Sequence, residues 1–286
     1  MNALLKYKKN ITSQWGEDGL IEEIFRRIGI QEKICIEFGA WDGKHLSNVW
    51  NLWHELNWSA LLIEGDKKKF NDLVSYTSKF EKVKPHCAYV KSNGKNCLDE
   101  IIKKTFPKKT IDLLSIDIDG NDYYILESLE IKPRIIIIEY NPTIPVDMEL
   151  IQETDQYFGS SAFSINNLAH EKGYRLITAT ETNLFFIHKD EFKKLQIDEP
   201  TLQDVYLKDN LTYILTAYDG TPALTRIPTY NNIYKSTERV LSFKNQNLPT
   251  VNINIYTHSS YFIEYLNKIL YKIKAKLNIK NKKVDL

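Results

Sequence analysis

Cysteine is scarce in this 286-residue chain, and so is methionine, with three and two residues respectively. The cysteines are Cys35, Cys87 and Cys97, and their spacing fits neither a disulfide framework nor a zinc ligand set. An odd and sparse set of this kind is typical of proteins in a reducing compartment. We therefore expect a cytoplasmic protein that does not depend on disulfide bonds.

The chain also lacks an excess of either charge and any long apolar run. Lysine and arginine total 38 against 37 aspartate and glutamate residues, which gives a formal net charge of +1. This balance provides no general electrostatic reason to expect a nucleic acid as partner. No segment reaches the ~18 consecutive apolar residues that a transmembrane helix requires, and residues 1–10 lack the apolar stretch of a signal peptide.

What the sequence does contain is a regular alternation of short apolar runs with amphipathic segments. The predicted strands are 34–38, 60–63, 83–90, 111–116 and 134–138. The predicted helices are 15–28, 45–56, a segment through Phe70 and Leu73, 97–104 and 123–129. Apolar strands that alternate with helices indicate a parallel sheet that is covered on both faces.

A hairpin of strands at 174–178 and 183–188, after a helix at 165–172, is expected to complete this sheet in antiparallel orientation. The predicted fold class is therefore α/β, with a Rossmann-like, mostly parallel sheet flanked by helices, a C-terminal antiparallel hairpin and a C-terminal extension. We place the main domain at residues 1–198 and an extension packed on its core at residues 199–286.

The extension ends in a basic segment. Residues 261–277 have the pattern of a helix, and lysines continue from there almost to the end of the chain. Such a helix either packs on the protein with a solvated basic face or makes weak peripheral contact with an anionic membrane. The pattern favours the packed helix.

A glycine-containing loop follows the first predicted strand. Glu37, Gly39 and Gly43 form an acid followed by G-x-x-x-G, which differs from the G-x-G-x-x-G of dinucleotide-binding enzymes. Glu37 can bind the amino end of a methionine moiety through charge-assisted hydrogen bonds. Glu64 ends the second strand, where a carboxylate can accept hydrogen bonds from both hydroxyls of an adenosine ribose. The pair in this order predicts a nucleoside cofactor.

Acidic residues also follow the fourth and fifth predicted strands. Asp117, Asp119 and Asp122 come from the fourth strand, and Glu139 and Asn141 from the fifth. Because these strand ends should be neighbours, we expect a cluster of oxygen ligands that repel one another unless a cation or a proton intervenes. Such ligands suit Mg²⁺, Mn²⁺ or Ca²⁺ rather than zinc. Alternatively, residues 119–122 form only a turn and a helix cap.

Asp117 is the first candidate for a general base or a metal ligand, because its position at the strand end directs it toward the site. Asp119 and Glu139 come next, and His45, after the glycine loop, is an alternative base. A metal site would comprise Asp117, Asp119, Glu139 and Asn141. We assign Trp50, Trp53 and Trp58 to the core and expect Tyr157 and Phe158 to contact an acceptor.

These segments together resemble the FkbM-type methyltransferase family. The residues that carry the resemblance are 13–18, 36–43, 62–64, 115–123, 137–141, 172–177 and 183–186, so that it spans roughly residues 11 to 192. It implies a class I methyltransferase fold, S-adenosylmethionine as cofactor, and saccharide or polyketide-type hydroxyls as acceptors. It also implies that Gln14 and Asp18 lie near the cofactor, beside Glu37, Gly39, Gly43, Glu64 and Asp117, although polar residues at this place can equally cap the N-terminus of a helix.

The acids after the fourth and fifth strands are also similar to those of metal-dependent catechol-type and macrolide-sugar methyltransferases. Those enzymes usually place Asp rather than Glu on the second strand, so Glu64 departs from their pattern. A bound Mg²⁺ or Mn²⁺ is therefore a further possibility rather than a requirement of the resemblance.

The function expected from the sequence is an S-adenosylmethionine-dependent O-methyltransferase that acts on a saccharide or sugar-nucleotide hydroxyl. One alternative is a nicotinamide-dependent sugar oxidoreductase or epimerase. That class usually carries a Tyr-x-x-x-Lys pair, and the chain offers only Tyr76-Thr-Ser-Lys79. The other alternative is a non-catalytic nucleoside-binding module, which would be expected to lose the acids that this chain keeps.

Overall fold

A seven-stranded sheet forms the centre of the computed structural model. The structure describes residues 3–90, 96–208, 211, 213–216, 218, 222–224 and 243–244. The strands of the central sheet are β1 (Ile34–Phe38), β2 (Ser59–Glu64), β3 (Val83–Cys87), β4 (Leu113–Ile116), β5 (Ile135–Glu139), β7 (Tyr174–Ala179) and β8 (Asn183–His188). Their order in space is β3-β2-β1-β4-β5-β8-β7.

Strands β1 to β5 are parallel, whereas β8 runs antiparallel to both β5 and β7. This confirms the predicted α/β fold class with its C-terminal antiparallel hairpin. The order reverses between β1 and β4, because the chain builds outward from β1 through β2 to β3 and then returns to place β4 on its other side. Ligands of open α/β sheets bind at such a reversal, beyond the carboxyl ends of the strands.

Helices cover the sheet. They are α1 (Glu17–Ile28), α2 (Lys67–Thr77), α3 (Leu98–Thr105), α4 (Asp122–Ser128), α5 (Ala162–Glu171), α6 (Lys189–Phe192) and α7 (Leu202–Val205). Short 3-10 helices are at Leu5–Tyr7 and Lys193–Leu195, and a π-helix is at Asn51–Glu55. Four further short strands complete the described elements, β6 (Ile151–Gln152) paired with β11 (Phe243–Lys244), and β9 (Ile214–Thr216) paired with β10 (Pro222–Leu224).

The core consists of two apolar clusters, one on each face of the sheet. Alternate residues of one strand enter different clusters, as Ile136 and Ile138 do on one face and Ile135 and Ile137 on the other. Side chains of a strand alternate between faces, so a strand that is apolar throughout can be buried on both sides. One cluster packs α3, α4 and α5 onto the sheet, and the other packs α1 and α2.

Several predicted helix boundaries differ from the structure, among them the start of α5, predicted at residue 165 and found at Ala162. Helix α1 begins at Glu17 rather than at residue 15, because Gly16 has a left-handed backbone with φ 99° and acts as its N-cap. The predicted helix at 45–56 is reduced to the π-helix Asn51–Glu55, which follows a loop. Trp50, Trp53 and Trp58 are buried in the core, as predicted.

The C-terminal extension is described in part. Leu202, Val205 and Tyr206 pack into the first core cluster, and the Tyr206 hydroxyl donates to the carbonyl oxygens of Pro142 and Ile144. The chain divides into two compact units, of which the first is 1–231 with 242–247, and the second is 232–241 with 248–286. The second unit and the predicted basic helix at 261–277 lie outside the described residues. In the part that the structure describes, none of the helices has the length and apolar composition needed to cross a bilayer.

Candidate active site

A cavity of about 690 Å³ opens at the carboxyl end of the sheet, where the strand order reverses. It is lined by the segments that follow β1, β2, β3 and β4, by Glu139 at the end of β5, and by residues 155–157. Its volume lies in the usual range for a site that holds a cofactor-sized molecule. The cavity therefore brings together the two groups of residues that the sequence singles out.

Gly39 makes the turn out of β1. Its backbone has φ 91°, and its amide donates to the carbonyl oxygen of Ile63 on β2. A Cβ added here would collide with the carbonyl oxygen of Asp117, at the end of β4. Glycine is thus required both by its left-handed conformation and by the close approach of two backbones. Gly43 also has a positive φ, but it faces the core at Leu73 rather than the cavity.

Glu37, the last acid of β1, is buried beneath the cavity. Its carboxylate accepts hydrogen bonds from the Ser47 hydroxyl at 2.6 Å and from the Asn48 amide at 2.7 Å. The pKa of Glu37 is raised to about 8, mainly by burial. The neutral donors compensate only part of the lost hydration, and the nearby charge of Asp117 contributes to the increase. A cationic ligand above it would stabilise the ionised form.

Glu64 ends β2 on the opposite wall. Its two oxygens accept hydrogen bonds from the backbone amides of Trp41 at 2.9 Å and of Asp66 at 2.7 Å. The bond from Trp41 ties the end of β2 to the glycine loop. Each carboxylate oxygen can accept more than one hydrogen bond, so Glu64 still has acceptor capacity for ribose hydroxyls.

Asp117 and Glu139 lie side by side at the ends of β4 and β5 and are hydrogen-bonded to each other. Burial, together with the charges of Asp122 and Asp119, raises the pKa of Asp117 to about 7 against the opposing effect of that hydrogen bond. Burial and the neighbouring charge of Asp117 raise the pKa of Glu139 well above its ordinary value. Near neutral pH the pair therefore tends to hold a proton, with Glu139 the protonated partner.

Asp122 begins helix α4 and shapes the loop after β4. Its carboxylate accepts from the amides of Ile118 at 3.0 Å and Gly120 at 2.9 Å, which makes residues 118–122 a turn, whereas the N-cap residue Asn121 makes no side-chain cap hydrogen bond. Burial raises the pKa of Asp122 to about 6 despite these bonds. Asp119, by contrast, is exposed and has a left-handed backbone with φ 58°.

Three of the four predicted metal ligands come together. One carboxylate oxygen from each of Asp117, Asp119 and Glu139 lies within 4.8 Å of the others. Asn141, the fourth predicted ligand, is not among the residues that line the cavity. Its amide donates to the Phe158 carbonyl at 2.6 Å and accepts from Thr143, so it holds the loop after β5 instead.

Gln14 and His45 both line the cavity, whereas Asp18 does not. One oxygen of Asp18 accepts hydrogen bonds from three consecutive backbone amides, at Ile11, Thr12 and Ser13. Asp18 therefore holds the loop that carries Gln14 and acts on the site only through it. His45 is exposed at the rim, 5.0 Å from the Trp41 ring.

Sequence reasoning missed several residues of the site. Ser47 and Asn48 hold Glu37, Lys69 lies 4.3 Å from the Trp41 ring centroid at the cavity wall, and Tyr89 packs on the backbone of Gly65. No spacing rule relates these residues to the strands that they face. Tyr157 was expected at the acceptor side, and it does line the cavity with 80% of its surface exposed.

The raised pKa of Glu37 predicts a pH-dependent stability. A carboxyl group whose pKa is higher in the folded than in the unfolded chain stabilises the fold at low pH and loses that contribution as pH rises through the folded value. We expect the melting temperature of the ligand-free protein to fall between about pH 5 and about pH 9, and less steeply in Glu37→Gln. Calorimetry across this pH range measures the melting temperature, and Glu22→Gln, on the exposed face of α1, is the control. Equal slopes in wild type and Glu37→Gln would contradict the assignment.

Part of the chain is similar to a known protein family. The model of the methyltransferase FkbM domain matches residues 91–176, a segment that contains Asp117, Asp119 and Glu139. A search of curated protein sequences finds no match to the chain.

Similar solved structures include the N-terminal domain of EvdMO1 with SAH bound, at 11% identity and a TM-score of 0.40, over 60% of this chain and 80% of that one. Monomeric WbdD is 14% identical with a TM-score of 0.38, over 59% and 39%. An S-adenosylmethionine-dependent methyltransferase from Aquifex aeolicus is 14% identical with a TM-score of 0.36, over 58% and 87%. At these low identities and TM-scores the likeness does not extend to substrates.

The matched segment supplies the acids at the ends of β4 and β5, and the sheet has the strand order and antiparallel hairpin expected of the fold. The chain therefore has a Rossmann-like α/β fold, and its residues 91–176 are similar to the methyltransferase FkbM domain, which indicates an S-adenosylmethionine-dependent methyltransferase.

Proposed function

We propose that this enzyme transfers the methyl group of S-adenosylmethionine to a hydroxyl of a saccharide or sugar-nucleotide acceptor, in a reducing, cytoplasmic setting. The observation that carries the proposal is the charge of the cavity. Lys69 and His45 are the basic side chains among its described lining residues. The acidic side chains outnumber them and are Glu37, Glu64, Asp66, Asp117, Asp119, Glu139 and Asp155.

Neighbouring acids repel one another, and the pKa values of Glu37, Asp117 and Glu139 are raised, so the site costs free energy unless a cation is bound. S-adenosylmethionine carries an ammonium group and a sulfonium, so it fits a cavity of this charge. Glu37 would bind the ammonium, Gly39 would admit the ligand against the backbone, and Glu64 would accept from the ribose hydroxyls. A pyrophosphate, as in nicotinamide cofactors, would be repelled by Glu37.

When bound, S-adenosylmethionine supplies a methyl group that is electrophilic because it is attached to a positively charged sulfur. A sugar hydroxyl is a poor nucleophile until its proton is removed. Asp117, in its ionised form, can accept that proton, and protonated Glu139 holds Asp117 in place through their shared hydrogen bond. The acids of β4 and β5 would thus act on the acceptor while Glu37 and Glu64 hold the cofactor.

A methyl-transfer screen tests the proposed function. Purified protein with S-adenosylmethionine and a panel of sugar nucleotides and simple glycosides should yield at least one product heavier by one methyl group, detected by mass spectrometry. Glu64→Gln should reduce affinity for S-adenosylhomocysteine by about tenfold or more, since one charged acceptor for the ribose hydroxyls is lost. Tight binding of NAD, without binding of S-adenosylhomocysteine, would refute the proposal.

The oxygen cluster of Asp117, Asp119 and Glu139 leaves a divalent ion as a second, testable component of the mechanism. Such an ion would lower the pKa of the acceptor hydroxyl and would replace the proton shared by Asp117 and Glu139. If it takes part, EDTA should abolish turnover, and Mg²⁺ or Mn²⁺ should restore it. Unchanged turnover in EDTA would assign the activation to Asp117 alone.

A further inference from the structure

The loop after β6 forms the wall of the cavity that faces the acids of β4 and β5. Asp155, Gln156 and Tyr157 all line the cavity, and Tyr157 exposes 80% of its surface there. An aromatic ring beside carboxylate and amide groups is a common arrangement for a hydroxyl-rich ligand, because the ring contacts the C–H face of a sugar while the polar groups bond its hydroxyls.

Gln152 holds this loop from below, and it is completely buried. Its amide nitrogen donates to the Gln156 carbonyl at 2.7 Å, and its amide oxygen accepts from the backbone amides of Phe158 at 3.0 Å and Gly159 at 2.6 Å. Three hydrogen bonds from one side chain thus set the backbone on both sides of Tyr157. A loop fastened in this way presents Tyr157 in a fixed place.

The same loop is attached directly to the catalytic segment after β4. The Asn121 side chain bonds both the backbone amide of Asp155, at 2.9 Å, and its carboxylate, at 3.0 Å. A Cβ added to Gly120 would collide with the carbonyl oxygen of Gln156, so the two loops are in close contact. These contacts hold the backbone of residues 155 and 156 against the segment after β4.

The charge of this wall limits what it can bind. Asp155 lies on it and Asp119 belongs to the segment after β4 that it faces, whereas the basic lining residues Lys69 and His45 come from the segments after β2 and β1. A phosphate placed against the wall would be repelled, whereas a neutral polyol would not.

We infer that residues 155–157 form the acceptor-binding wall of the cavity. This wall binds an uncharged, hydroxyl-rich ring that stacks on Tyr157, and Gln152 positions the wall. This inference rests on the proposed function. It adds that the part of the acceptor next to the reacting hydroxyl is uncharged. In a phosphorylated or nucleotide-linked acceptor, the phosphates extend away from this wall.

The experiment measures binding of two matched panels to the full chain in the presence of S-adenosylhomocysteine. One panel contains neutral methyl glycosides of common hexoses, deoxyhexoses and pentoses, and the other contains the same sugars as 1-phosphates. Saturation-transfer NMR should detect binding of at least one neutral glycoside, and no 1-phosphate should bind more tightly than its neutral partner. Preference for the phosphates, or binding of no glycoside, would overturn the inference.

Substitutions of Tyr157 test whether residues 155–157 bind the acceptor. Tyr157→Ala should weaken glycoside binding at least tenfold, and Tyr157→Phe should restore it, while affinity for S-adenosylhomocysteine stays within about twofold. Tyr89→Ala is the matched control, because Tyr89 is also exposed but lines the end of β3; it should weaken S-adenosylhomocysteine instead. Unchanged glycoside binding in Tyr157→Ala would overturn the inference. If the wild-type protein does not bind S-adenosylhomocysteine, the proposed function is refuted instead.

Gln152→Leu tests the positioning role. It keeps the size of the side chain but removes the three loop bonds, so we expect weaker glycoside binding with S-adenosylhomocysteine affinity preserved, together with faster amide exchange at Phe158 and Gly159. Faster exchange with glycoside affinity unchanged would show that Gln152 does not position the wall. If this variant does not fold, the exposed Tyr157 variants still decide the identity of the wall.

Discussion

Replacing Asp117 with Asn should reduce methyl-transfer turnover by about 10²–10⁴-fold, which is the usual effect of removing a general base. Affinity for S-adenosylhomocysteine should change little, because Glu37 and Glu64 bind that ligand in the proposed site. The melting temperature should stay the same or rise, since Asp117 is one of several neighbouring acids that repel one another. Steady-state kinetics, calorimetry and thermal melting on one preparation measure all three quantities.

The control for this experiment is His45→Gln. His45 lines the same cavity but lies exposed at its rim, so turnover in this variant should remain within a few-fold of the wild type. Near-normal turnover in Asp117→Asn, with a collapse in His45→Gln, would transfer the role of base from Asp117 to His45. If the melting temperature of Asp117→Asn falls as much as the loss of a helix cap would lower it, Asp117 has a structural role instead.

Gly39→Ala should abolish cofactor binding and lower the free energy of unfolding by more than the ~1–2 kcal/mol that a left-handed backbone costs an ordinary residue. Two causes add at this position, because φ is 91° and the new Cβ would collide with the Asp117 carbonyl oxygen. The ends of β1 and β4 would have to separate, and the floor of the cavity lies between them. Affinity for S-adenosylhomocysteine should fall at least tenfold.

Gly29→Ala separates the two causes. Gly29 ends helix α1 with φ 71°, and a Cβ added there meets nothing within 4 Å. This variant should therefore show the backbone cost alone and bind S-adenosylhomocysteine normally. If Gly39→Ala loses no more stability than Gly29→Ala and still binds the ligand, then the close approach of β1 and β4 does not shape the site.

Much of the fold follows from the sequence because its information is local. The run 135–138 is apolar at every position, which predicts a strand buried on both faces, and β5 is buried in this way. The same holds for β1 and β4, and the acids that follow them must meet once the strands are parallel. Gly16, a single left-handed residue, was enough to displace the predicted start of α1.

The sequence by itself thus determined the order of elements, the glycine turn at Gly39 and the acids Glu37, Glu64, Asp117 and Glu139 at the strand ends. Only the tertiary structure decided which of the remaining polar residues face the cavity. Asp18 and Asn141 look like site residues in the sequence, yet their hydrogen bonds hold loops, whereas Gln152 carries no motif and fixes Tyr157. Such roles depend on hydrogen bonds between segments distant along the chain or on loop conformation, which residue spacing does not encode.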